Sequence, residues 1–338
     1  MENKANITTE YIVKLLQFPR IGRKTARKLI YNLNFRITCD NDLFDYIDEN
    51  RIKFNLPEYN ASTLNDIIDK ANSIIASSEK SNIKLLSFLD SNYPTKLLST
   101  DDFPLLINYK GNINSLIIKP SVAVIGTRKP TSFGNKLGKR IGEVLALNNI
   151  NVVSGLAIGC DTAGHLGAIE AHGTTTCVLA HGLDSIYPKE NANLADRILH
   201  NDGLLISEYF IKQRPVGNFF VERDRIQAGV SDCVFVVETG IKGGTMHTVR
   251  FCQSYKRILA CLNHPLKFHN EAQIQGNQLI IREMNAIPIY TKSDIDHLIS
   301  KVTDRFNAKS CPEKIDNQEP DNSLTNYHNK AKQLNLWR

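Results

Sequence analysis

Between residues 122 and 262, short apolar runs alternate with amphipathic stretches, and this rhythm limits the fold more than any other feature. The runs are Val122–Ile125, Asn151–Val153, Thr176–Leu179, Leu204–Ile206, Cys233–Val237 and Ile258–Leu262. Between them lie Gly134–Leu147, Asp161–Ala171, Asn193–Leu199, Arg223–Val230 and Thr245–Tyr255, with the apolar spacing of helices. Runs that lack polar alternation suit strands buried on both faces. Strands alternating with helices predict an α/β fold, a parallel sheet covered on both sides. Such sheets collect ligands at the carboxyl ends of their strands.

Three zones are expected. Residues 1–78 read as a helical domain, 79–303 as the α/β core, and 304–338 as a polar, weakly ordered tail with a short helix near Trp337. A chain of 338 residues with 42% hydrophobic content supports a sizeable core. Its net charge of +6 suits a nucleic-acid partner without selecting one. No apolar run has the length of a membrane span, and none at the N-terminus resembles a signal peptide. The seven cysteines include no C-x-x-C pair, a usage that fits a reducing compartment and a cytoplasmic protein. Cys261, His264 and His269 lack a fourth ligand at metal spacing, so neither a metal nor a cofactor is expected.

Several turns fall at the predicted carboxyl edge of the sheet. Gly126-Thr127-Arg128 ends the first run. Glycine allows close backbone approach, the next helix offers free N–H groups, and arginine forks two phosphate oxygens. Neither G-x-G-x-x-G nor G-x-x-x-x-G-K-[ST] is present there, which disfavours ordinary NAD or ATP binding. Ser154, Gly155 and Gly159 form a second turn, followed by Asp161 and His165. Asp161 suits a helix cap, and a buried, bonded histidine is the simpler reading of His165. Phe219 and Phe220 stand beside Arg223 and Arg225, combining base-stacking and phosphate-neutralising types. Lys242-Gly243-Gly244-Thr245 is another glycine turn that opens a helix. With Asp161 and His165, Glu208 and Glu238 are polar candidates for a pocket at the same edge.

Near the N-terminus, Phe18–Leu29 resembles a helix-hairpin-helix segment of a small SAM-like domain, with Arg20, Gly22, Arg23 and Lys24 as candidate contacts. Such hairpins offer backbone amides to DNA phosphates without reading bases. Arg20 replaces the first glycine of the usual P-G-I-G pattern, which predicts a strained turn.

Together these residues resemble the DprA/Smf family of DNA-processing proteins over roughly residues 10–300. The match includes Asp90–Pro94, Phe103–Leu106, Lys110–Asn112, the G-[ST]-R turn and S-G-x-A-x-G-x-D with His165 beyond. Tyr187–Asn191, Ile206–Glu208, Gly276-Asn277 and Ser293–Ile295 follow in family order. The resemblance implies a Rossmann-like core that dimerises, binds and protects single-stranded DNA, and helps load a RecA-type recombinase. It implies phosphate contacts for Arg128, Lys189, Arg223 and Arg225, with aromatics nearby for bases. Two departures stand out. The family's F-P-x-R-N-R reads F-V-E-R-D-R here, placing Asp224 between two arginines, and the tail shows no winged-helix pattern.

Two other functions share such a sheet. Nucleotide phosphoribohydrolases carry P-G-G-x-G-T-x-x-E with a catalytic glutamate, and aligning Gly244-Thr245 puts Thr248 at that position. A small-nucleotide sensor would use the polar candidates instead. The expected function is a non-enzymatic single-stranded-DNA-binding recombination mediator.

Overall fold

In a computed structural model the chain is described over residues 6–310. Four helices come first: α1 Thr9–Leu15, α2 Arg23–Asn32, α3 Asp40–Glu49 and α4 Ala61–Lys80. Next are β1 Lys84–Ser87, α5 Thr95–Leu98, β2 Leu106–Gly111 and α6 Asn114–Ile117. The alternating zone holds β3 Ser121–Ile125, α7 Ser132–Leu147, β4 Asn151–Ser154, α8 Cys160–Glu170, β5 Thr175–Leu179, α9 Ala192–His200 and β6 Leu204–Ser207. It continues with α10 Gly217–Gly229, β7 Cys233–Val236, α11 Thr245–Ser254, β8 Ile258–Leu262, α12 Gln275–Glu283, β9 Ile287–Ile289 and α13 Lys292–Ser310.

All nine strands join one sheet in the order β1-β2-β6-β5-β4-β3-β7-β8-β9. Pairing is parallel from β6 to β9, and antiparallel where β2 meets β6 and β1. The chain steps outward from β3 to β6, then returns to the far side of β3 with β7. The order therefore reverses between β3 and β7, and the crevice beyond their carboxyl ends is the topological switch point.

Local chemistry fits this plan. β3, β4, β5 and β7 are buried throughout. Thr131 caps α7, its Oγ1 accepting a hydrogen bond from the Gly134 N–H at 2.9 Å. Helices α7 and α8 approach so closely that a Cβ on Gly142 would lie 2.2 Å from the Gly164 carbonyl oxygen. Ile12, Leu15, Leu29 and Ile47 of the helical segment share one apolar cluster with Ile107, Val153 and Val236 of the sheet. The expected boundaries at 78/79 and 303/304 fall inside α4 and α13, so residues 304–310 continue a helix. The rest of the expected tail, with Trp337, lies outside the described residues.

Candidate nucleic-acid interface

The carboxyl edge is built from the loops after β3 to β9. At the switch point the first feature met is a carboxylate. Glu238, which follows β7, is fully buried and aims at the N-terminus of α7. Its Oε2 accepts from the Thr131 N–H at 2.7 Å, and its Oε1 from Thr131 Oγ1 at 2.6 Å. His264 Nε2 lies 3.0 Å from Oε1. Burial alone would raise the Glu238 carboxyl, but the hydrogen bonds from His264 and Thr131 outweigh it and hold the group below its ordinary value. In an open Rossmann site a ligand phosphate takes this position. Here the protein's own carboxylate fills it, so Glu238 is not an open pocket group as expected.

The other polar candidates are also committed to the fold. Asp161 Oδ2 accepts from the N–H groups of Gly155 at 3.0 Å and Ala157 at 3.3 Å. His165 is fully buried, 2.7 Å from Thr175 Oγ1, and burial pushes its ring down to about 3. It is a neutral core histidine. Glu208 pairs with Arg225 and, at 3.1 Å, with Arg23, and it does line a pocket, the cleft beside the hairpin. Ser154 Oγ donates to the Val124 carbonyl at 2.7 Å. The Thr127 N–H donates to the Glu238 carbonyl at 2.7 Å. The amides of Thr127 and Gly155, expected to await a phosphate, are thus occupied by protein acceptors. Gly126 packs where a Cβ would come within 2.5 Å of Cys160 Sγ, and Gly159 has φ +93° at the start of α8.

Arg223 and Arg225 are corrected most clearly. Their side chains are only 7% and 2% exposed. Arg223 Nη1 donates to the Val178 carbonyl at 2.8 Å, and its guanidinium lies against Gly155, where a Cβ would sit 1.5 Å from Nη1. Arg225 donates to the Asp102 carbonyl at 2.6 Å and to Glu208. The cause is the start of α10. The sequence suggested a helix from Arg223, but it begins at Gly217, six residues earlier. Both arginines therefore lie in the helix interior and turn inward.

A different set remains open. Arg128 is exposed, its guanidinium carbon 5.6 Å from the centroid of the Phe220 ring. Tyr187, 45% exposed, lies on the same ring with centroids 5.9 Å apart. Phe219 is half-buried and stacks on Tyr209 at 4.1 Å. Lys189 and Lys242 are exposed and form no ion pair among the described residues, and Gly244 has open space around it. Gly243 and Thr245, beside it, are partly exposed. Sequence reasoning missed Lys129, Lys212 and Arg214, exposed cations on the loops after β3 and β6. It also gave Tyr187 no role. Only the sheet order shows that these loops share one edge.

The hairpin behaves differently from expectation. Arg20 and Lys24 are exposed, and Gly22 caps α2 in open surroundings. Arg20 does adopt φ +66°, the left-handed turn that its usual glycine would favour. Arg23, however, bridges Glu208 and Glu222 at 3.1 and 3.0 Å, tying the hairpin to the core. A cleft of about 580 Å³ lies beside this bridge, lined by Gln17, Lys24, Lys70, Tyr209 and Gln213 among others. Among the described residues no cluster of three or more His, Cys, Asp or Glu could hold a metal, and no helix is long and apolar enough to cross a membrane.

These features define a class: a Rossmann-like α/β protein whose switch-point phosphate position is filled from within and whose strand-end loops carry exposed cations and an aromatic pair. The sequence profile of DNA recombination-mediator protein A matches residues 84–300, and the chain belongs to that family. It is 41% identical over 162 residues to DNA processing protein DprA of Streptococcus pneumoniae, covering 48% of this chain and 56% of that protein. To protein Smf of Synechocystis it is 31% identical over 229 residues, covering 62% and 56%. The chain thus spans about half the length of these curated relatives. The fold superposes on DNA processing protein A of S. pneumoniae with a TM-score of 0.70 at 28% identity, over 86% of this chain and 97% of that one. DNA processing protein A of Helicobacter pylori, whose structure was described for its single-stranded DNA binding mode, gives 0.57 at 28% identity, over 66% and 96%.

Proposed function

We propose that this protein binds single-stranded DNA along the carboxyl edge of its sheet, protects it, and passes it to a RecA-type recombinase during recombination, as in DNA uptake. The observation that carries the reading is Arg128 resting on Phe220 with Tyr187 beside it. A guanidinium for phosphate and aromatic faces for bases is the pairing that single strands require. Lys189 and Lys242, and the open turn Gly243–Thr245, extend the track on neighbouring loops. The family's DNA-processing character and the H. pylori relative support the same partner. The protein acts in the cytoplasm as a homodimer.

Two positions support this reading over a phosphoribohydrolase and over a small-nucleotide sensor. Thr248, buried on α11, stands where a phosphoribohydrolase would need its glutamate. Glu238 occupies the anion position at α7, which disfavours a small-nucleotide sensor. Labelled single-stranded and duplex oligonucleotides, titrated by anisotropy with and without ATP, test this. Preference for the single strand with no nucleotide requirement is expected. Equal affinity for blunt duplex, or phosphate or base release by the pure protein, would overturn it.

A further inference from the structure

One turn along α10 from Phe220, over which Arg128 rests, lies a buried charge cluster that the binding role does not by itself need. Asp224 is 9% exposed, on the same face of α10 as Phe220 one turn before it. The Arg223 Nε lies 3.3 Å from Asp224 Oδ1, an ion pair without hydrogen-bond alignment. With its amide turned to satisfy both ends, Gln227 donates to Asp224 Oδ1 at 3.1 Å and accepts from the Gly155 N–H at 2.9 Å. Three charged groups act on this carboxylate: Arg223 on its own helix, Asp161 on α8, and Arg128 on the loop after β3. Two buried carboxylates thus share one buried guanidinium, and the further positive charge that acts on Asp224 is the exposed arginine over the Phe220 ring.

We propose that Asp224 is an affinity-setting residue: when ionised it holds Arg128 back from DNA phosphate, so that binding of single-stranded DNA is coupled to protonation of Asp224. The inference rests on Arg128 contacting DNA. Burial, reinforced by Asp161 and opposed by Arg223 and Arg128, pushes the Asp224 carboxyl up to about 7. A phosphate arriving at Arg128 adds negative charge nearby and cancels part of the attraction that favours the ionised form. Binding therefore raises the carboxyl further and takes up protons. By reciprocity, affinity falls as pH rises through the range where Asp224 ionises.

The test uses a fluorescein-labelled oligo-dT titrated by anisotropy from pH 6 to 9 at constant ionic strength, with the wild type, Asp224→Asn, Arg128→Ala and the double variant. Wild-type affinity should fall by about three- to tenfold more than that of Asp224→Asn across this range, as expected for charges several ångströms apart at a protein surface. Asp224→Asn should bind more tightly at pH 8.5, and that gain should vanish on the Arg128→Ala background. Calorimetry near pH 7.5 in two buffers of different ionisation enthalpy should show proton uptake by the wild type only. A DNA-free arm checks the carboxylate itself. Because its folded-state value is raised, the wild type should lose melting temperature relative to Asp224→Asn as pH rises from about 4 through 7. Parallel pH profiles with intact oligonucleotide binding, or weaker binding by Asp224→Asn despite unchanged melting, would overturn the inference and leave the DNA reading standing. Absence of binding by every protein, with the melting difference present, would overturn the DNA reading and the inference with it.

Discussion

Glu238 shows how one side chain redirects a common fold. At the N-terminus of α7 it satisfies Thr131 and His264, and a Cβ on Gly134 would come within 2.1 Å of its carboxyl carbon. Its depressed carboxyl makes a stability contribution that is present above the unfolded value and lost as pH falls through the folded one. Glu238→Gln should therefore lower the melting temperature at neutral pH and flatten the acid limb of the stability profile, read by thermal melting from pH 3 to 7. An acid limb identical to the wild type would refute the role. Arg128 is the opposite kind of residue: exposed, in no ion pair within 4.0 Å among the described residues, and acting on Asp224 only at longer range. Arg128→Ala should weaken every single-stranded sequence about tenfold, the order of one charge-assisted contact, with unchanged melting. Arg128→Lys should recover part of the loss, and Thr127→Ala should cost less. Arg128 was legible as a cation at a strand end. Arg223 was not: its sequence neighbours Phe219 and Phe220 look the same whether the guanidinium faces solvent or Gly155.

Helix α10 carries the main difference between expectation and structure. Starting at Gly217, it draws Phe219 onto Tyr209 and sends Arg223 and Arg225 into the sheet's flank. No capping side chain marks this start, which is why the sequence pointed further along. Strands β3 to β8 were readable from their apolar runs, but β1, β2 and β9 were not assigned. β1 has only two buried positions and β9 has one, too few for a period to show. Gly155 links α10 to the loop after β4. Gly155→Ala would drive a methyl into the Arg223 guanidinium and should cost about 1–3 kcal/mol, measurable by denaturant unfolding. The hairpin helix α2 makes a contrasting prediction. Because Arg23 is tied to Glu208 and Glu222, Arg23→Ala should lower stability by about 1 kcal/mol yet weaken DNA binding less than Arg128→Ala does. The reverse order would make the hairpin the primary DNA contact.

For the whole molecule, the nine-stranded order gathers onto one edge loops that are far apart in sequence. The parallel sheet was legible, but its order was not, since strand spacing does not say on which side of β3 the chain returns. That return brings the loop after β7, which carries Lys242, to the same edge as the loop after β3, which carries Arg128, and the loops after β5 and β6 add Lys189 and Arg214. On the proposed reading this edge, rather than the hairpin or the filled switch-point crevice, holds the single-strand backbone. Its most direct test is the salt dependence of oligonucleotide binding, compared between the wild type and the triple variant Arg128→Ala, Lys189→Ala, Lys242→Ala. Each phosphate contact to a single strand contributes a slope of about −0.7 in log affinity against log salt. The triple variant should therefore show a slope shallower by about 2, with an unchanged melting temperature. An unchanged slope in a folded triple variant would place the single strand elsewhere on the protein.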